Sequence, residues 1–262
     1  MVTYLQSTFS KEDPEGYKLN QPWMRKEPCG YPNELGVWHW VNCGPKWGTI
    51  RLVPDPADAN RTCVEMLLDA PGDRPLSNDQ HVKLYECQGR EAENYAEPYP
   101  TLKEAYYHMK YWFPSDFKVD SWRLIWQYCG EEDVYGNPDH TSSPQMALVF
   151  GDTYLYLKST GYYHKDGQKR SFVVSRNTNL PKDRWVTMVV YVKQGSAFQS
   201  EDGTVTVWID GVKLFERNDI ATATYSGTPY VIWGIGNYGG SYEDQGQRIY
   251  IKDVMVTSGY IG

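Results

Sequence analysis

Between Trp185 and Phe215 the chain carries two strongly alternating runs, Trp185–Lys193 and Gly203–Phe215, joined by a Gly/Ser-rich turn. The second run contains the tetrad Trp208, Ile209, Asp210, Gly211. Alternation of apolar and polar positions, filled by β-branched and aromatic residues, has the period of a strand with one buried face. Asp-Gly is a turn that folds such a strand back on its neighbour. An antiparallel sheet is therefore fixed here with little ambiguity.

Further strand-like runs recur at Gly48–Val53, Thr62–Leu68, Gln80–Glu86, Tyr106–Phe113, Trp122–Tyr128, Gln145–Phe150, Tyr154–Leu157, Ser171–Val174, Tyr230–Ile235 and Arg248–Val256. Pro-Asp, Asp-Gly, Gly-Asp and Gly-Gly turns separate them, which is the pattern of a β-sandwich. Thr101–Glu104 has the form of a helix capping box, with Leu102, Ala105, Tyr106 and Met109 at helical spacing. The aromatic run that follows, ending at Pro114, favours a strand from Ala105 instead. At 262 residues the expectation is one all-β domain over 1–262, in which residues 1–47 give one short edge strand and loops that wrap the sandwich. The 22 Tyr and 10 Trp supply flat amphipathic side chains of the kind that line carbohydrate clefts, although most belong in a core.

A net charge of −7, with no Lys/Arg run long enough to track phosphates, argues against a nucleic-acid partner. An acidic polysaccharide stays compatible, because a few cations in a cleft outweigh distant surface charge. No run of about 18 apolar residues is present to span a membrane. Met1–Ser7 lacks the basic and apolar pattern of a secretion signal, so any such signal has been removed or never existed. Cys29, Cys43, Cys63 and Cys87 lie in the first third and suit two disulfides in an oxidising compartment, with Cys129 left free. Reduced, buried cysteines are the equal alternative. Asn60–Thr62 is a formal glycosylation sequon, of a kind that arises often by chance.

Several segments form a recognisable series: the polar strand His81–Tyr85, then Tyr111–Pro114, Trp126–Cys129, Ser143–Leu148, Trp185–Lys193, Trp208–Gly211, Gly234–Tyr238 and Lys252–Val254. In this order the chain, from about Gly48 to its end, resembles the polysaccharide lyases of the glucuronan lyase and heparin lyase I type. It resembles the jelly-roll alginate lyases more distantly. The resemblance implies a concanavalin-like jelly-roll sandwich of two antiparallel sheets with a concave substrate cleft. It also implies a secreted enzyme that cleaves a uronic-acid polysaccharide, glucuronan or alginate-like, by β-elimination. Two positions depart from the pattern: Cys129 stands where the family has His, and Gly236 where it has Tyr.

β-Elimination needs a group that neutralises the uronate carboxylate, a base for the C5 proton and an acid for the leaving oxygen. Gln127 is the candidate neutralising group, and strand alternation sets Arg123 and Ile125 on its face, making Arg123 a substrate contact. His81, Lys83 and Tyr85 share a face at period two and are hard to place in an apolar core. His81 can replace the missing His, Lys83 can bind a carboxylate and Tyr85 can contact substrate. Tyr238, of the same parity as Gly236, offers a phenol for acid or base work, with Tyr242 and Tyr250 as weaker candidates. His140 lies in a polar loop of the kind that borders sites. Each has a plain structural alternative: a cross-strand hydrogen bond for Gln127, an open sheet face for the β-strand trio, a surface turn for Tyr238 and solvent for His140.

Two other functions compete. A glycoside hydrolase needs two carboxylates about 5 to 10 Å apart on one face, and no convincing pair is present. A non-catalytic carbohydrate-binding protein is the stronger rival, since the departures at Cys129 and Gly236 are those of a retired lyase. No cofactor and no metal ligand set are expected, structural calcium at an Asp-rich loop being left open. The expected partner is an acidic polysaccharide, bound by a monomer.

Overall fold

The computed structural model describes residues 1–7, 40–42, 48–68, 80–88, 102–119, 122–130, 146–151, 154–158, 162–163, 169–170, 173–177, 181–197, 200–222, 231–239 and 247–261. The strands are β1 (Thr3–Ser7), β2 (Trp40–Asn42), β3 (Gly48–Asp55), β4 (Asp58–Leu68), β5 (Gln80–Gln88), β6 (Glu104–Trp112), β7 (Arg123–Gly130), β8 (Met146–Phe150) and β9 (Tyr154–Lys158). They continue with β10 (Tyr162–Tyr163), β11 (Lys169–Arg170), β12 (Val173–Asn177), β13 (Trp185–Lys193), β14 (Gly203–Ile209), β15 (Val212–Ile220), β16 (Val231–Gly239) and β17 (Gln247–Thr257). Sheet A runs β15-β14-β13-β6-β17-β4-β3, with β1 also paired to β17. Sheet B runs β12-β9-β8-β7-β16-β5-β2, and β10 and β11 form a separate ladder. All pairings are antiparallel.

Each expected run overlaps a strand among the described residues. β6 settles the competition at Thr101–Glu104: Ala105, Tyr107, Met109 and Tyr111 enter the core on alternate positions, while β13 and β17 pair with its two edges. Two-sided pairing and a buried face outweigh a local helical signal. β2 is the N-terminal edge strand, and β1 is a second N-terminal strand that the sequence did not disclose. In the β14–β15 hairpin, Asp210 and Gly211 both have positive φ (47° and 78°), the geometry of a type I′ turn. The Asp210 carboxylate accepts hydrogen bonds from the Thr187 N–H (2.9 Å) and from Arg184 (2.7 Å), tying the turn to β13.

The core lies between the sheets and is heavily aromatic. Tyr107 of sheet A meets Trp126 and Trp233 of sheet B at 5.8 and 5.0 Å between ring centroids. Phe113 meets Phe150 edge-on at 5.1 Å. Each such side chain stabilises the sandwich by about 1.5–3 kcal/mol when taken fully out of water.

Cys63 corrects one expectation. It is a free, buried thiol on β4, set against the Pro54 carbonyl. It therefore takes no part in a pair of N-terminal disulfides. Burial pushes its pKa up to about 12, which keeps it protonated and inert.

Candidate functional site

The candidate residues belong to sheet B, and the register of its strands decides which of them meet. Between β7 and β8 the register shifts between Leu124 and Trp126, and between β7 and β16 it shifts between Ile235 and Tyr238. Both irregularities fall at the level of Ile125. One extra residue in a strand reverses the faces beyond it. Leu124 accordingly packs with Ala147 and Val149 on the face away from the core, whereas Ile125, Trp126 and Tyr128 all lie in the core.

Gln127 is paired with Ala147 and Gly234, so it lies on the same outward face as Leu124. Arg123 is paired with Phe150, a core residue, and with Gly239. It is 2 % exposed, and a Cβ at Gly239 would lie 2.0 Å from its Nη1. The expectation that Arg123 and Ile125 share the Gln127 face is thus overturned by the bulge: the guanidinium is packed between the sheets, off the face that carries Gln127.

Three hydrogen bonds from two core side chains hold the irregular level in place. The Tyr111 hydroxyl on β6 donates to the Ile125 carbonyl at 2.6 Å, supplying a partner to backbone at the bulge. Asn237, fully buried on β16, donates from Nδ2 to the carbonyls of Met66 (3.2 Å) and Gln247 (2.9 Å) in sheet A. All three bonds cross from one sheet to the other.

The outward face has a clear lateral order. One row of register partners runs Lys158, Ala147, Gln127, Gly234, Tyr85, Trp40, and a second runs Tyr156, Val149, Leu124, Tyr238, His81. Between them, Gly236 is paired with Lys83. Leu124, Gln127, Ala147 and Val149 are at most 5 % exposed although they face away from the core, so this face is a recess rather than an open sheet. Gly234 and Gly236 contribute no side chains, leaving a floor of bare backbone beside Gln127. Trp122 and Tyr238, both half-buried, meet edge-on at 4.9 Å and pack with Tyr156 against the Leu124 cluster.

The register therefore gathers Gln127, Tyr238, His81, Lys83 and Tyr85 around one glycine-floored depression. On β5 the register fixes the backbone positions of His81, Lys83 and Tyr85. His140 and Tyr242 lie outside the described residues. Tyr250 belongs to β17 of sheet A, paired with Trp112 and Glu65, and is removed from this recess. Trp122, Tyr156 and Lys158 were missed by sequence reasoning; the period-two spacing of Tyr156 and Lys158 in a strand whose Leu155 and Leu157 are core was the available signal. Among the described residues no group of three or more His, Cys, Asp or Glu side chains could hold a metal. No described helix is long and apolar enough to cross a membrane.

A two-sheet antiparallel jelly roll with a polar recess on one sheet is the class of protein defined here. The fold is similar to that of an endo-β-1,4-glucuronan lyase from the fungus Trichoderma reesei, with TM-score 0.67 and 15% identity over 98% of this chain and 96% of that one. It is also similar to that of the alginate lyase vAL-1 from Chlorella virus, with TM-score 0.53 and 13% identity over 85% and 93% of the two chains. No curated protein gives a significant sequence match. The family model described as polysaccharide lyase matches residues 31–254, and the chain belongs to that family. It is a lyase that degrades polysaccharide.

Proposed function

We propose that the protein cleaves a uronic-acid polymer, glucuronan or an alginate-like chain, by β-elimination in the recess of sheet B. The observation that carries this reading is the placement of Gln127, held buried on the recess face directly beside the side-chain-free position Gly234. A uronate ring over Gly234 and Gly236 brings its carboxylate to the Gln127 amide. A hydrogen-bond donor fixed in a desolvated recess stabilises the charge that builds on the carboxylate as the C5 proton leaves. Tyr238 and His81, register partners at one end of the depression, take the acid and base roles, and Lys83 beside Gly236 offers positive charge to the carboxylate. The electron pair left at C5 forms the C4–C5 double bond, and the glycosidic oxygen departs with a proton.

This assignment works with Cys129 and Gly236 in place of His and Tyr, since Tyr238 supplies a phenol two residues beyond Gly236 and its register partner His81 supplies an imidazole. We also propose that the chain acts as one secreted, monomeric domain without a cofactor. The departures at Cys129 and Gly236 favour one second reading, a carbohydrate-binding protein that has lost catalysis.

Incubation with glucuronan, alginate, heparin and neutral glucans, following the ultraviolet absorbance of unsaturated uronates, tests the proposal. Absorbance that grows on a uronate polymer and is lost in Gln127→Ala is expected. Reducing ends without absorbance would make the protein a hydrolase, and retention without product would make it a binding protein.

A further inference from the structure

On the recess face the register row through Gln127 continues outward to a cation. Lys158 closes β9, is paired with Ala147, and Ala147 is paired with Gln127. Tyr156, two residues earlier, packs on the recess-face cluster, while Leu155 and Leu157 are core. Strand alternation therefore puts Lys158 on the recess face. Its side chain is exposed, and among the described residues it has no ion-pair or hydrogen-bond partner. Of the described side chains on this face it is the one cation.

On sheet A, by contrast, Lys110 is engaged with Asp253, Lys213 with Glu216 and Lys252 with Asp55. Lys158 sits two strands from Gln127, about 10 Å between backbones at ordinary sheet spacing. The residue between them is alanine, so nothing tall divides the two positions. A polymer lying across the strands along this row, with one uronate at Gln127, passes over Ala147 and presents a later sugar to the Lys158 ammonium.

We infer that Lys158 forms a second carboxylate-binding subsite, which reads the charge of a uronate further along the chain than the one being cleaved. The inference rests on the proposed polyuronate specificity and deepens it. Lys158 is a specificity-determining residue with no part in bond breaking. It makes the protein discriminate a continuous polyuronate from a polymer that carries a lone uronate among neutral sugars.

The test uses the full chain, polyglucuronate and the same polymer after carboxyl reduction. Equilibrium binding is measured in the Gln127→Ala background, where the polymer is not cut, and turnover in the otherwise native protein. Lys158→Ala is expected to weaken binding to polyglucuronate about tenfold, the scale of one lost hydrogen bond to a charged group, and to leave binding of the reduced polymer unchanged. In turnover KM should rise by a similar factor with kcat within about twofold, and Lys158→Arg should restore it. On oligomers too short to reach from Gln127 to Lys158, variant and native protein should coincide. Unchanged polyglucuronate binding and KM in Lys158→Ala, or an equal loss on short and long substrates, would overturn the subsite. If Lys158→Ala loses affinity but no unsaturated product ever forms, the subsite stands and the lyase mechanism falls. If product forms and Lys158 variants behave as native, the reverse holds.

Discussion

The outer faces of the two sheets are built from the same residue types and use them in opposite ways. On sheet A the polar and aromatic groups satisfy one another. Tyr106 packs on Tyr191 at 4.6 Å between centroids and Trp208 on Tyr260 at 5.0 Å, while Arg184 pairs with Asp210 and Arg51 with Glu65. Lys252 is buried against Asp55 and lies 4.2 Å over the Trp185 ring, and Trp185 donates its indole N–H to the same carboxylate at 2.9 Å. On sheet B the corresponding surface has two glycines at its centre, an amide in the recess and an exposed lysine at the margin. A face that closes its own hydrogen bonds is scaffold, and one that leaves room beside fixed polar groups is made for a ligand.

The largest expected effect belongs to the recess. Gln127→Ala should lower the rate of unsaturated product formation by about a hundredfold or more, the scale for removing one preorganised donor, with the melting temperature little changed. A comparable loss of stability with full specific activity would place Gln127 among the structural residues and erase the contrast between the faces.

Lys252→Met is the counterpart on sheet A. It leaves the Asp55 carboxylate buried without its cation and should destabilise the fold by about 3–5 kcal/mol in chemical denaturation, with specific activity of the folded fraction unchanged. Asp55 also gives a pH signature. Burial pushes its carboxyl pKa up, but hydrogen bonds from Lys252, Ala57 and Trp185 outweigh burial and hold it below the ordinary carboxylate value. A depressed folded pKa contributes stability that is present above about pH 4, the unfolded value, and is lost as pH falls through the folded pKa. The native protein should therefore lose more stability on acidification below that point than an Asp55→Asn, Lys252→Met double variant does.

Tyr111→Phe probes the link between the faces. Loss of the hydroxyl leaves the Ile125 carbonyl unsatisfied in the core and should cost about 1–3 kcal/mol. Because the bulge sets the facing of Gln127, activity should fall further than the loss of folded protein explains. The smallest effect is at Cys63, which should resist alkylation in the native state, react on unfolding and appear in no disulfide-linked peptide by mass spectrometry.

The sandwich was legible because alternation survives in a single sequence: β13, β14 and β15 declare their faces, and Asp210-Gly211 declares the turn between two of them. At β6 and β7 local pattern and tertiary context part company. The apolar spacing around Leu102–Met109 fits a helix or a strand, and partners on both edges decide for the strand. In β7, Arg123, Ile125 and Gln127 read as one face because period two was carried across a residue that breaks it. A bulge leaves no composition mark at Ile125; its supports, Tyr111 and Asn237, are distant in sequence and belong to other strands. Gln127 was found because its chemistry suits the task, and Lys158 was missed because its period-two spacing with Tyr156 tells which face it takes but not that this face is the recess.

The bulge at Ile125 also has an evolutionary reach. Substitutions change one side chain at a time. Loss of the Ile125 codon would only remove the extra residue and leave Leu124 and Arg123 on their present faces, whereas loss of the Leu124 codon would turn the N-terminal end of β7 over. Arg123 would then emerge into the recess in the place of Leu124, exchanging an oily wall for a guanidinium in one step. In a sandwich of this kind, insertions and deletions of one residue are a route to new substrate preference that leaves the amino-acid content of the strand almost untouched.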